Sequence, residues 1–144
     1  MLSQQEISDR LEILDLLARY CAAIDSRRWD DLDAVFTPDA VIDYSEMGGI
    51  RGSLAEQKVF LDDNLPAFAG FQHLVGSTVI DIDYAADADT AAVRSICFNP
   101  MVVADEKQVL FCGLWYRDEI VRTPQGWRIR SRHEDRSWSL DVRR

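Results

Sequence analysis

Hydrophobic positions recur at two different periods along this chain, and the change falls near its middle. Ile7, Leu11, Leu14, Ala18 and Cys21 follow one another at intervals of three and four, the spacing of one face of an α-helix. Ser3 and Glu6 form a capping box ahead of them, so a first helix is predicted to run to about Ile24. The segment "RRWDDLDAVF" predicts a shorter second helix, with Trp29, Leu32 and Phe36 inward and Pro38 closing it. "AVIDYS" reads as a short strand and "EMGGIRG" as a glycine-bearing loop. Ser53 and Glu56 make a second capping box, opening a helix through "LAEQKVFLDDNL" that stops near Pro66.

Beyond that point the period becomes two. Residues 71–84, 90–104, 108–121 and 126–138 read as long strands, separated by the turns "AADAD", "DEK" and "TPQG". Short connections between long strands predict antiparallel neighbours. Helices first and a meander afterwards describe one α+β domain over residues 1–144, three helices packed against a curved, mostly antiparallel sheet. A sheet curved over helices encloses a cone-shaped hollow, where a small ligand can bind.

Composition narrows the partners. The chain has 144 residues, 47% hydrophobic and 28% charged, with no repeat or low-complexity tract, as expected of a globular domain. A net charge of −9 repels phosphate backbones and anionic lipid, which disfavours nucleic acid and membranes as partners. The N-terminus lacks the layout of a secretion signal, and Cys21, Cys97 and Cys112 form no Cys-x-x-Cys pair, so a reducing, cytoplasmic setting is expected. Eight of the sixteen basic residues lie from Arg117 onward. They either line an anion pocket or form an outward strand face paired with acidic neighbours.

The candidate chemistry begins with Asp25, the next step of four along the apolar stripe of the first helix. A carboxylate there either caps the following "DSRRWDDL" helix or is carried inward to a partner. His73, alternating with Val75 and Val79, is either a quiet structural residue or that partner. If they meet, Asp25 fixes the imidazole tautomer and leaves the other nitrogen as a base. Alternation through "AVIDY" turns Tyr44 to the inner face with Ile42, and Tyr20 borders the same space from the helix. Each phenol either bonds to backbone, polarises a carbonyl or donates to a departing hydroxyl. His133 shares a strand face with Trp127 and Ile129 if pairing is regular. No metal-ligand spacing, phosphate loop or dinucleotide fingerprint occurs.

The segments "AAIDSRRWDDLDAVFTPDAVIDY", "FQHLVGS" and "GLWYRDEIVRTPQGWRIRSR" together resemble the SnoaL-like branch of the NTF2-like superfamily, over nearly the whole chain. Asp25, Trp29, the "IDY" ending at Tyr44 and the "QH" ending at His73 resemble scytalone dehydratase. Asp25 with His73 resembles the dyad of hexachlorocyclohexane dehydrochlorinase, and Tyr20, Asp25, Tyr44 and His73 resemble the set in bile acid 7α-dehydratase. The resemblance implies a cone-shaped, cystatin-like fold, a homodimer or homotrimer, no cofactor, and elimination of water or HCl from a ring with the histidine as base. Departures are also visible. Asn99 and Met101 stand where scytalone dehydratase has a second pocket histidine, Leu110 and Cys112 where it has Ser and Asn, and Ile24 where it has Tyr. They imply a more apolar pocket, walled by Met101, Leu110, Cys112 and Leu114, with Trp29 and Asn99 as further substrate contacts.

The expectation is therefore a dehydratase-like lyase acting on a small, mostly apolar cyclic or polyketide-like molecule. His73, Asp25, Tyr44 and Tyr20 would be its catalytic residues. The same dyad would also serve a proton-transfer isomerase. A non-catalytic assembly subunit, such as the small subunit of a ring-hydroxylating dioxygenase, would instead have a filled cavity. Trp115, Trp127 and Trp138 supply aromatic surface for self-association through the outer sheet face.

Overall fold

Both capping boxes form. Ser3 Oγ accepts from the Glu6 N–H at 3.2 Å, and the Glu6 carboxylate accepts from the Ser3 N–H at 2.6 Å. This satisfies donors that the first turn of helix α1 (Gln4–Asp25) would leave orphaned. Ser53 and Glu56 repeat the arrangement ahead of α2 (Leu54–Asn64). The structure is a computed structural model describing residues 1–105 and 107–143. Within the turn read at "DEK", residue 106 lies outside the described residues.

Seven strands form one curved, mixed sheet: β1 (Phe36–Asp43), β2 (Arg51–Gly52), β3 (Phe68–Phe71), β4 (Leu74–Asp83), β5 (Asp87–Val103), β6 (Gln108–Thr123) and β7 (Gly126–Arg143). Their order is β2-β1-β7-β6-β5-β3, with β4 also on β5. The meander pairs antiparallel as expected, whereas β1 runs parallel to β7. The second helix of the sequence reading is a 3₁₀ segment, Trp29–Ala34, and β1 begins at Phe36, ahead of Pro38. The β1–β7 register shifts between Phe36 and Val41, so the missing N–H of Pro38 falls outside the ladder.

Helix α1 is turned differently from the expectation. Its buried face is Asp9, Ile13, Leu16, Leu17, Tyr20, Ala23 and Ile24. The stripe of Ile7, Leu11 and Leu14 faces outward, with Leu11 61% exposed. Two apolar arcs compete on this helix, and the one carrying Ile13, Leu16, Leu17, Tyr20 and Ile24 buries more area. Asp9 is drawn in with it. The buried carboxylate accepts from Trp127 Nε1 at 3.1 Å, Tyr84 OH at 2.9 Å, Arg122 Nη2 at 3.0 Å and Gln5 Nε2 at 3.0 Å. Burial alone would raise its pKa, but the bonds from Arg122, Trp127, Tyr84 and Gln5 outweigh burial and hold it at about 2.

The basic final segment from Arg117 is mostly paired rather than gathered into an anion pocket. Arg117 meets Asp135, Arg122 meets Asp9 and Asp89, Arg130 meets Glu119, and Arg132 meets Asp118. The tryptophans divide. Trp127 is buried, the Arg94 guanidinium covers Trp115 at 3.7 Å from the ring centroid, and Trp138 is exposed. Among the described residues no helix is long and apolar enough to cross a membrane.

Candidate active site

The strand read over 71–84 breaks at Gln72 and His73. Opposite the break stands Pro100 on β5, which has no N–H to offer the ladder. Its carbonyl accepts from Gln72 N at 3.3 Å, and regular pairing resumes at Leu74. His73 is therefore a connector residue rather than a strand residue alternating with Val75 and Val79. Its backbone N–H donates to the Asp25 carboxylate at 3.0 and 3.2 Å. Helix α1 reaches that point because it ends at Asp25, where Arg27 takes the left-handed conformation (φ 54°). Arg27 also ties the helix end to β3, donating to the Phe68 carbonyl at 2.8 Å.

Asp25 binds His73 twice, because its Oδ1 also lies 2.6 Å from His73 Nδ1. A carboxylate only accepts, so Nδ1 carries a proton, and in the neutral ring the lone pair is on Nε2. Asn99 Nδ2 lies 3.3 Å from Nε2 and is the donor there, which leaves Asn99 Oδ1 buried without a partner. Tyr20 and Phe71 meet the imidazole edge-to-face at centroid distances of 6.3 and 6.1 Å. The ring is thus held in orientation from both sides, and Asp25 lies behind it.

In front of the imidazole lies a cavity of about 350 Å³. Its walls include Tyr20, Tyr44, Asn99, Met101, Leu110, Cys112 and Leu114, while Phe60, Leu61 and Leu65 of the α2 region and Met47 of the β1–β2 loop enclose it. Trp29 is not on this wall; its indole donates to Asp62 on the outside, at 3.0 Å. Tyr20 OH and Tyr44 OH lie 2.8 Å apart. Burial pushes both phenols up, so they remain protonated at any ordinary pH. One of the two hydroxyl protons bonds the pair, and the other is free to meet a ligand. The Cys112 thiol, also raised by burial, is a neutral wall.

Two inward-facing charged residues of β7 escaped the sequence reading, and one irregularity explains both. Between β6 and β7, Ile120 faces Ile129 but Glu119 faces Ser131, so Arg130 is an extra residue. Trp127 and Ile129 point inward, and beyond this bulge the inward positions become Arg132 and Glu134. His133, expected on the face of Trp127 and Ile129, is turned out. The Arg132 guanidinium lies between the rings of Tyr20 and Tyr116, at 4.1 and 3.9 Å from their centroids, and binds Asp118 through two bonds of 2.7 Å. Glu134 is 7% exposed and lines the cavity. Burial raises its pKa to about 8; Arg132 opposes this, and Asp43 and Asp118 add to it.

On the outer face His133 contacts Asp43 at 3.2 Å, Glu46 at 2.7 Å and Asp135 at 3.2 Å. Glu46, His133 and Asp135 are the group of described residues whose ligand atoms come close enough to hold a metal, within 4.8 Å of one another. Arg117 already pairs with Asp135 and opposes a cation there.

A family model for the SnoaL-like domain matches residues 5–133. An uncharacterised protein of Mycobacterium bovis is 56% identical over 135 residues, covering 93% of this chain and 89% of the relative. A solved structure from Novosphingobium aromaticivorans, described as a scytalone dehydratase, superposes with a TM-score of 0.86 at 18% identity, over 99% of this chain and 93% of that one. Hexachlorocyclohexane dehydrochlorinase from Novosphingobium barchaimii superposes with a TM-score of 0.81 at 16% identity, over 96% and 92%. At those identities the two structures establish the shared fold.

Proposed function

The chain belongs to the SnoaL-like domain family, and from that premise we propose that it is a lyase that needs no cofactor for its elimination step. Its substrate is a small, mostly apolar cyclic molecule. The observation that carries this reading is the 2.6 Å contact of Asp25 with His73 Nδ1, in a ring that lines a cavity of about 350 Å³ and whose Nε2 a substrate reaches by displacing the long 3.3 Å contact from Asn99. That volume lies in the range of small-molecule sites and favours a ligand pocket over a filled assembly module.

His73 Nε2 removes a proton from carbon, most readily one acidified by a neighbouring carbonyl. Asp25 holds the tautomer and stabilises the imidazolium that forms. The free hydroxyl proton of the Tyr20–Tyr44 pair donates to the oxyanion that develops on that carbonyl. Both phenols stay protonated, and here they act as hydrogen-bond donors to that oxyanion. Met101, Leu110, Cys112 and Leu114 receive the apolar part of the substrate, and Trp29, facing away, has no place in binding. The fold kinship with structures described as a dehydratase and a dehydrochlorinase is consistent with such chemistry.

The test is elimination from cyclic β-hydroxy ketones by the purified protein. His73→Ala and Asp25→Asn should each lower turnover by about 100-fold or more while leaving the fold intact by circular dichroism. Turnover that survives both changes sinks the mechanism. Deuterium uptake from solvent without loss of a leaving group would make the protein an isomerase instead.

A further inference from the structure

Elimination needs an acid as well as a base when the leaving group is a poor one. The mechanism above supplies the base and the oxyanion donors but nothing that delivers a proton to the departing group. Glu134 is a carboxyl that has no evident structural purpose. It is 7% exposed, lines the cavity that His73 faces, and no hydrogen bond or ion pair to it is found among the described residues. A buried, unpartnered carboxylate is costly, and a neutral carboxyl is not.

The natural counter-ion is already engaged. Arg132, two residues earlier on the same face of β7, is bound bidentately to Asp118, both side chains being wholly buried. That pair is neutral in sum, and although Arg132 Nη1 is left without a partner, no bond from it to Glu134 is found among the described residues. The site matches the pattern in which an apolar environment keeps a carboxylic acid protonated at neutral pH. Glu134 reaches the cavity from β7 and His73 from the β3–β4 break, with β6 and β5 between them in the sheet. Base and acid thus approach a ligand from different walls.

We propose that Glu134 is the acid of this pocket, a neutral carboxyl that protonates the departing oxygen. This rests on elimination with His73 as base. His73 Nε2 takes the proton from carbon, and the C–H electron pair becomes the new C=C bond. The C–O bond breaks with its electrons on oxygen, and the Glu134 O–H proton passes to that oxygen, releasing water. The imidazolium and carboxylate left behind are reset when the proton on Nε2 returns to Glu134 through solvent.

The experiment compares two leaving groups on one skeleton, 3-hydroxy-1-tetralone and 3-chloro-1-tetralone. Both yield 1-naphthol, read by fluorescence. Chloride needs no proton to leave, so Glu134→Gln should lower the alcohol-to-chloride rate ratio about 100-fold, within the usual contribution of general acid catalysis. His73→Ala should abolish both reactions. An equal effect of Glu134→Gln on the two, or none on either, overturns the assignment and leaves the base in place. Survival of both reactions in His73→Ala overturns the base while the ratio still judges Glu134. A wild-type protein that converts the chloride but not the alcohol, or neither, also overturns the assignment.

Infrared spectroscopy gives an answer that needs no turnover. Wild type at pH 7 should show the carbonyl stretch of a protonated carboxyl, absent from Glu134→Gln and shifted to lower frequency on adding 3-hydroxy-1-tetralone. A carboxylate band in its place would mean that Glu134 ionises against the free Nη1 of Arg132, and would overturn the proposal.

Discussion

A single residue sets an unusual pH dependence here. Glu134 has its pKa raised from 4.5 to about 8 in the folded protein. The folded state therefore holds a proton that the unfolded state has already released across that interval. Stability contributed by this group is fully present below pH 4.5 and falls as pH rises towards 8. Glu134→Gln keeps the shape and removes the titration. Urea denaturation should then find a flatter pH profile and a variant more stable than wild type near pH 8, by a few kcal/mol at most. A profile unchanged by the substitution would show that the carboxyl ionises without penalty. His73 and Asp25 were legible because a carboxylate and an imidazole stood out among apolar positions. Glu134 was not, since "RHEDR" reads as an ordinary charged strand face until one knows which residues point inward.

At the scale of elements, which side faces inward is decided by the bulge at Arg130. Side chains alternate strictly along a strand, so one extra residue exchanges the two faces beyond it. Inserting one alanine between Ser131 and Arg132 should turn Arg132 and Glu134 outward, leaving Asp118 buried without its guanidinium. The cost is about 3–5 kcal/mol, and a large fall in melting temperature should accompany it. A variant melting like wild type would mean that the strand absorbs the insertion in another bulge. The caps are independent of such choices. Ser53→Ala removes the hydroxyl that accepts from the Glu56 N–H, and should cost about 1 kcal/mol by denaturant titration. Helix α1 teaches the converse lesson. Its caps were readable, but of its two apolar arcs the sequence pattern alone favoured the one that faces solvent.

For the whole molecule, Asp9 joins α1 to Tyr84 after β4, Arg122 on β6 and Trp127 on β7. With its pKa held down to about 2, against a usual 3.8, Asp9 contributes stability that is present above about pH 4 and is lost as pH falls through 2. Glu134 acts in the opposite sense at higher pH. Between them, the contribution of Asp9 favours the fold above about pH 4 and that of Glu134 favours it towards lower pH. Repulsion from the net charge of −9 at neutral pH pushes the same way, and added salt should relieve it. Asp9→Asn should cost about 3 kcal/mol at pH 7 and much less at pH 2, where the wild-type carboxyl is itself gaining a proton. An equal loss at both pH values would show that packing, not charge, ties the helix down.

The sequence by itself determined the α+β class, both helix caps and the antiparallel meander, because these depend on periodicity and turn chemistry. It also singled out Asp25, His73, Tyr20 and Tyr44, residues whose chemistry is conspicuous at positions that read as inner. Only the tertiary structure decided which arc of α1 is buried, that β1 lies parallel to β7, that Trp29 turns away from the cavity and that Glu134 enters it. Each of those outcomes is set by contacts between distant segments, among them the competition between two apolar surfaces on α1 and one extra residue in the β6–β7 ladder. A one-dimensional pattern carries the period of a side chain's direction, while its sign is fixed by what the chain folds against.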